Sequence, residues 1–330
     1  MARIVRFYEY GGPEVLKLED AEPTEPGPGE VRIKVDAMGL NRAEVMFHYG
    51  QYMPAKAFPS RIGYECSGTV EAVGGDVSNV KVGDKVSTIP AFDMSEHGVY
   101  GESATVPAHA VAHYPDNLDP VRGTAIWMQY LTAWGGLIRV GNLQAGGSAI
   151  ITAASSSVGI AAIQICRMIG ATAIATTRTA AKKQSLLDHG ADHVIVTDEE
   201  DLPERVMSIT GDTGADVAFD PVAGPMLETL ANAVRPHGII IPYGSLHNGP
   251  TNLPILPLAM KGINVRPYVL FEFTFDPEQL EAGKQFVYDG LQWGKLEPVI
   301  DRTFKLDEIV DAHRYMESNE QLGKIVVTTQ

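Results

Sequence analysis

Between Ile150 and Cys166 the chain runs through a short apolar segment, a turn of small residues, and apolar residues at helical spacing. A strand, a tight turn and a helix in that order bring backbone amides and a helix N-terminus against a pyrophosphate. The usual glycine pattern is reduced here to Ala154-x-Ser156-x-x-Gly159. Alanine and serine are still small, Gly159 permits close packing of helix on strand, and the Ser156 hydroxyl can bond a phosphate oxygen. An ordinary turn with no ligand is the plain alternative, and the next strand favours the cofactor reading. Sites for NAD place an acid about 20 residues further on, where it holds the ribose 2′-hydroxyl. This chain has Thr176-Thr177-Arg178-Thr179 there, with Lys182 and Lys183 one turn later. Cations in place of an acid suit a 2′-phosphate, so NADPH is expected over NADH, the competing reading being solvated surface charge.

The elements around this turn fall into two styles. Residues 31–35 alternate as a half-buried strand does, 67–73 form a second strand candidate, and 81–86 read as a tight turn entering a third. Many short strands with little helix predict a β-rich, barrel-like module. After about residue 120 strands and helices alternate: helix 126–140, strand 149–152, helix 158–169, strand 171–176, helix 180–189, strands 193–196 and 216–219, helix 226–234, strand 239–241. That order predicts a doubly wound parallel sheet. A helix over 277–290 and a closing strand over 322–327 return to the first style. The expected fold is therefore α/β, a Rossmann domain over 123–265 inserted in a β-rich domain formed by 1–122 and 266–330.

Bulk properties narrow the function classes. The 330 residues carry a net charge of -15 and a pI near 5.0, which repels a phosphate backbone or an anionic membrane. No nucleic acid and no membrane partner is expected. Residues 140–166 hold no charge, but Gly146, Gly147 and Ser155-Ser156-Ser157 interrupt them, which fits a buried strand–turn–helix better than a bilayer span. Two cysteines, Cys66 and Cys166, make neither a four-cysteine zinc lobe nor a disulfide framework. With no secretory run at Met1-Ala2-Arg3-Ile4-Val5-Arg6, a cytoplasmic setting is expected.

The whole length resembles the quinone oxidoreductases of the medium-chain dehydrogenase/reductase superfamily. The resemblance is carried by Tyr10-Gly11-Gly12-Pro13-Glu14, Gly39-Leu40-Asn41-Arg42-Ala43-Glu44, Gly50-Gln51-Tyr52, Gly63-Tyr64-Glu65-Cys66-Ser67-Gly68 and Val80–Val86. The turn Ala153–Gly159 and the ending Gly323-Lys324-Ile325-Val326 carry it further, with Ser156 and Ser157 replacing glycines of the family's turn. The resemblance implies a GroES-like substrate domain, NADPH in a cleft beside it, and homodimers through a Rossmann edge around Ile263 to Leu270. It also implies cofactor contacts at Thr132, Val158, Arg178, Lys182, Tyr243, Gly244, Leu270 and Lys324, beside the turn residues Ser156, Ser157, Gly159 and Thr177. Zinc-dependent relatives ligate their metal with a Cys and a His where this chain has Asn41 and Tyr64. Neither suits zinc, and Glu65 alone makes no site, so no metal is expected. His109 and His113 are expected to be satisfied or surface histidines.

Without a Lewis acid, alcohol oxidation loses its means of stabilising an alkoxide. Reduction of a conjugated acceptor asks less, because negative charge spreads into an enolate or hydroquinone that hydrogen-bond donors can stabilise. The resemblance implies three such groups: Asn41 lining the pocket, Tyr52 as proton donor, and Tyr64 in the place of the missing histidine. The expected function is hydride transfer from NADPH to a quinone or another α,β-unsaturated carbonyl compound. An alcohol or aldehyde oxidoreductase, and a non-catalytic NADPH-binding structural or regulatory protein, are the alternatives.

Overall fold

The alternation seen at residues 31–35 belongs to the strand that organises the first of two units. The computed structural model describes residues 1–330. It divides into residues 1–128 with 298–330, and residues 129–297. In the first unit β1 (Ala2–Arg6) pairs antiparallel with β2 (Lys17–Ala21). β3 (Glu30–Gly39) turns Val31, Ile33 and Val35 inward while Arg32 and Lys34 face out. It pairs antiparallel with β4 (Glu65–Val73) and with β6 (Ser103–Pro107). β5 (Lys85–Thr88) joins β4 to β7 (Val111–His113). The tight turn expected at Lys81 passes through Gly83 at φ 92° and enters β5 at Lys85.

The second unit is a six-stranded, wholly parallel sheet. Its strands are β8 (Ser148–Ile151), β9 (Thr172–Thr177), β10 (His193–Val196), β11 (Ala215–Asp220), β12 (Val234–Pro242) and β13 (Asn264–Val265), in the order β10-β9-β8-β11-β12-β13. Ile150, Ile174, Ile195, Ala218 and Ile240 pack with Leu202, Val206, Leu227 and Leu230 of the crossover helices, leaving the strands dry as parallel sheets require. The uncharged stretch resolves into β8, the turn and the helix Ser157–Ile169, and no helix is long and apolar enough to cross a membrane. The helix expected over 126–140 runs as an α-helix over Trp127–Trp134 and then as a π-helix over Gly135–Val140.

Two boundaries differ from expectation. The second unit does not stop at 265 but continues to 297. The helix Pro277–Gln292 sets Gly283 against Leu131 and Trp134, and the Glu297 backbone exchanges hydrogen bonds of 3.0 Å with the Gln164 side chain. An amphipathic pattern shows that a helix has an apolar face, not which core receives it. The edge expected over 263–270 is a strand at two residues only, Asn264–Val265; beyond them Tyr268 and Leu270 turn inward instead.

The chain then returns to the first unit. β14 (Ile300–Lys305) lies parallel to β15 (Lys324–Thr328), and β15 closes antiparallel on β3. The helix Ile309–Ser318 between them meets the helix Arg42–His48 through two buried histidines, His313 Nδ1 lying 3.2 Å from His48 Nε2. His48 Nδ1 donates to the Gly11 carbonyl at 2.8 Å. A carbonyl only accepts, so His48 Nε2 carries no proton and His313 Nδ1 must donate to it. His109 and His113 are satisfied by the Ala91 carbonyl and the Asp84 carboxylate.

Candidate functional site

The turn after β8 is built by three small residues. Ala153 takes φ 46°, Ala154 is buried, and Ser156 caps the helix Ser157–Ile169 by accepting the Gly159 N–H at 3.0 Å. A Cβ on residue 159 would stand 2.6 Å from the Ala154 Cα, so only glycine lets the helix start this close to the strand. The Ser156 hydroxyl thus has a structural task besides the phosphate contact expected of it; one of its two lone pairs is used, and its proton is left to donate. The first-turn amides of Ser157 and Val158 have no partner within the helix and face forward, where its dipole favours an anion.

Three further strand ends serve this turn. β9 ends at Thr177, whose hydroxyl donates to the Thr179 carbonyl, and Arg178 follows, exposed and free of ion pairs. Lys182 Nζ reaches back to the Ser155 hydroxyl at 3.2 Å, whereas Lys183 is drawn to Glu200 at 3.9 Å. After β12, Tyr243 stacks on Phe219 with ring centroids 4.0 Å apart and turns its hydroxyl toward Ser156, and Gly244 follows against Pro221. Thr132 and Leu270 are both buried and are tied together by Tyr268, whose hydroxyl donates to the Thr132 carbonyl. Asp220, at the end of β11, accepts from Thr152, Val222 and Ala223 and so fixes the neighbouring loop.

The first unit holds a buried polar cluster. Asn41 precedes the helix Arg42–His48 and forms a capping box with Glu44, whose Oε2 accepts the Asn41 N–H at 2.8 Å. The Asn41 side-chain amide donates to Glu44 and to Glu65, at 3.2 Å each, and its oxygen accepts from Lys324 Nζ at 2.6 Å. Lys324 also pairs with Glu65, both side chains being shut from solvent, and the other Glu65 oxygen accepts the Met128 N–H at 2.8 Å. Gly39 makes room for this: a Cβ there would lie 2.7 Å from the Lys324 Cε. Glu44 is fully enclosed, and burial, opposed by Lys324 and by hydrogen bonds, lifts its carboxyl to about 7.

Tyrosines flank the cluster. The Tyr64 N–H donates to Glu44 at 3.1 Å and its ring packs on Phe92. Tyr52 is half-buried and Tyr64 fully buried. Burial first, and the Glu44 charge second, push the Tyr52 phenol up to about 12. Tyr64 is raised well beyond its ordinary range, again chiefly by burial.

Residues 27–116 match the alcohol dehydrogenase GroES-like domain, and residues 157–285 match the zinc-binding dehydrogenase family. The quinone oxidoreductase of Pseudomonas aeruginosa is 31% identical over 99% of both chains, and a 2-haloacrylate reductase of a Burkholderia species is 28% identical over 100% of this chain and 99% of its own. Among solved structures, Escherichia coli quinone oxidoreductase complexed with NADPH superposes with a TM-score of 0.91 at 26% identity, covering 99% of this chain and 100% of that one. An NAD-dependent alcohol dehydrogenase reaches 0.92 at 28%, with the same coverage. The chain belongs to the quinone oxidoreductase-like medium-chain dehydrogenases/reductases. Its class is that of an oxidoreductase, with a GroES-like unit and a Rossmann unit.

The zinc of the matched family finds no fitting donor set in this quinone oxidoreductase-like chain. Asn41 and Tyr64 stand at the ligand positions, an ammonium occupies Glu65, and no three His, Cys, Asp or Glu side chains converge. Lys324, expected to touch cofactor, holds Glu65 and Asn41 through an enclosed ammonium. Tyr64, expected in the place of the missing histidine, is fully buried and packs on Phe92. Asn41 is likewise engaged at both its amide and its oxygen, and acts as the junction of the cluster. Glu44 went unrecognised in the sequence although Asn41-x-x-Glu44 is a capping-box signature. For the Lys324–Glu65 pair the one signal was a lysine in an otherwise apolar closing strand.

Proposed function

We propose that the chain is an NADPH-dependent reductase of quinones or other α,β-unsaturated carbonyl compounds that works without a metal. The observation that carries this reading is Tyr52, a half-buried phenol kept un-ionised beside a cluster whose donors do not suit zinc. A phenol so held can deliver a proton to an acceptor oxygen or carbon as negative charge develops there. The name of the 2-haloacrylate reductase, a relative, denotes reduction of a conjugated double bond, which supports the same acceptor chemistry.

The turn after β8 fits a dinucleotide. The Ser157 and Val158 amides and the Ser156 proton would bind the pyrophosphate, and Arg178 and Lys182 a 2′-phosphate, with Thr177 beside them. Tyr243, Gly244, Thr132 and Leu270 would hold the remainder. Bound there, the dinucleotide supplies the hydride. The exposed Leu253, Ile255, Leu256 and Met260, close in sequence to the short edge strand β13, support a homodimer through that edge.

The test is NADPH oxidation by EDTA-treated protein with a panel of quinones, enones and simple aldehydes. Turnover of the conjugated acceptors alone is the expected result. Activity only with added zinc and simple alcohols or aldehydes would replace this reading by the alcohol dehydrogenase one, and an inert panel by a binding protein.

A further inference from the structure

We propose that Tyr10 is a positioning residue for Tyr52, its side chain holding the loop 50–58 at both ends and in the middle. The inference rests on the proton-donor role proposed for Tyr52. Residues 52–59 make no backbone–backbone hydrogen bond. Before them the Gln51 N–H still reaches the Met46 carbonyl of the helix Arg42–His48, and after them Ser60 exchanges two bonds with Phe7. Within the span the one hydrogen bond to the backbone runs from the Ala55 N–H to the Tyr10 hydroxyl, at 2.9 Å. The Tyr10 ring holds the ends. It lies against Gly50, where φ is 71° and a Cβ would stand 3.0 Å from the ring, and it meets the Phe58 ring edge-on with centroids 5.2 Å apart. Lys56 also ties the loop, to Asp93 and Glu96, but these pairs are open to solvent and screened by salt.

Tyr10 can serve as a fixed point because its own backbone is fixed. The neighbouring Gly11 donates its N–H to the His48 carbonyl at 2.8 Å and accepts from His48 Nδ1 at 2.8 Å, so this segment is carried by the last residue of the helix Arg42–His48. Asn41, the junction of the buried cluster, stands at the N-terminus of that same helix. The cluster and the loop that bears Tyr52 are thereby referred to one helix, the loop by way of His48, Gly11 and Tyr10. A segment with so few hydrogen bonds of its own opens locally at little cost. A proton donor must stand within about 3 Å of the atom it serves, and a misplacement of about 1 Å slows the step steeply. Tyr10 therefore contributes order in the loop. No bond forms or breaks at its hydroxyl, which accepts the Ala55 N–H throughout.

The experiment is amide hydrogen exchange of the whole protein, read at Ala55, together with kcat in a double-substitution cycle. Tyr10→Phe removes the hydroxyl and keeps the ring. It is expected to speed exchange at Ala55 about tenfold or more, and to leave the thermal midpoint and the NADPH dissociation constant where they were. With conjugated acceptors it should lower kcat about tenfold. In a Tyr52→Phe background the same change is expected to leave kcat unmoved, since the group it positions is gone. A tyrosine with a merely structural role would lower kcat equally in both backgrounds. That result, or an unchanged kcat in the parent background, overturns the inference, and so does unchanged exchange at Ala55. Tyr10→Leu, which removes the ring contacts too, should lower kcat further, again only where Tyr52 is present. If exchange at Ala55 responds as expected while the parent reduces no conjugated acceptor, the reductase reading falls and the hold of Tyr10 on the loop stands.

Discussion

Asn41 shows how much a single side chain can be asked to do when two acids and one base share a dry site. Its amide separates Glu44 from Glu65 while its oxygen helps hold Lys324, so the three charges are fixed by one planar group. Removing the base while leaving both acids enclosed is costly. Lys324→Met is expected to destabilise the first unit by about 3–5 kcal/mol, read as a fall in the urea midpoint. Tyr52→Phe should leave stability near that of the parent and lower kcat about a hundredfold with conjugated acceptors, as loss of a general acid does. Arg178→Ala combined with Lys182→Ala is expected to weaken NADPH binding at least tenfold, about 1.4 kcal/mol, with NADH little changed, as fluorescence titration would report. At this scale the sequence was legible where chemistry is local. Arg178, Lys182 and the small-residue turn lie within about thirty residues and could be read from spacing alone. Glu65 and Lys324 lie 259 residues apart, and no spacing rule joins them. For Tyr64, motif position fixes where the backbone goes, while the ring's depth depends on Phe92 and the rest of the core.

Elements were more legible than their allegiance. The alternation of strand and helix after residue 120 gave the parallel sheet, because apolar runs of strand length bounded by turn residues have few other uses. The turn after β8 shows local rules and tertiary packing agreeing, since Ser156 caps the helix that Gly159 allows to begin there. Ser156→Ala is expected to cost about 1 kcal/mol of stability through the lost cap, and more in NADPH affinity than in stability. Gly159→Ala should cost more still, because its added carbon would meet the Ala154 backbone rather than a movable side chain. Comparing urea midpoints with NADPH dissociation constants separates the two effects. The helix Pro277–Gln292 is the counter-example: its periodicity is plain, and it was still assigned to the wrong unit, because its partners Leu131 and Trp134 come from far earlier in the chain.

The whole molecule has a pH dependence that no one element shows. His313 is enclosed and its imidazolium pushed down to about 3 by burial and by His48, which is itself lowered by burial. An unfolded histidine takes its proton near 6.5. The unfolded chain therefore binds more protons below that pH, and the stability held at neutral pH is lost as acid is added, by about 1.4 kcal/mol per pH unit for each histidine. Glu44 works the other way, since its folded value lies above its unfolded one and its contribution fades as the pH rises from 4.5 toward 7. Urea midpoints at pH 7 and pH 5 should fall on acidification, less so in His313→Gln and more so in Glu44→Gln. Leu256→Asp should turn the proposed dimer into monomers in sedimentation without lowering the unfolding midpoint of the second unit. The order of the chain has one more consequence. The second unit is a single unbroken segment, whereas the first is closed by a strand that follows it. During synthesis at about 5–20 residues per second, Glu65 waits roughly 13–50 seconds for its lysine. The part of the protein made first is thus finished last, and its acidic interior stays open to solvent and to chaperones until the 324th residue clears the ribosome.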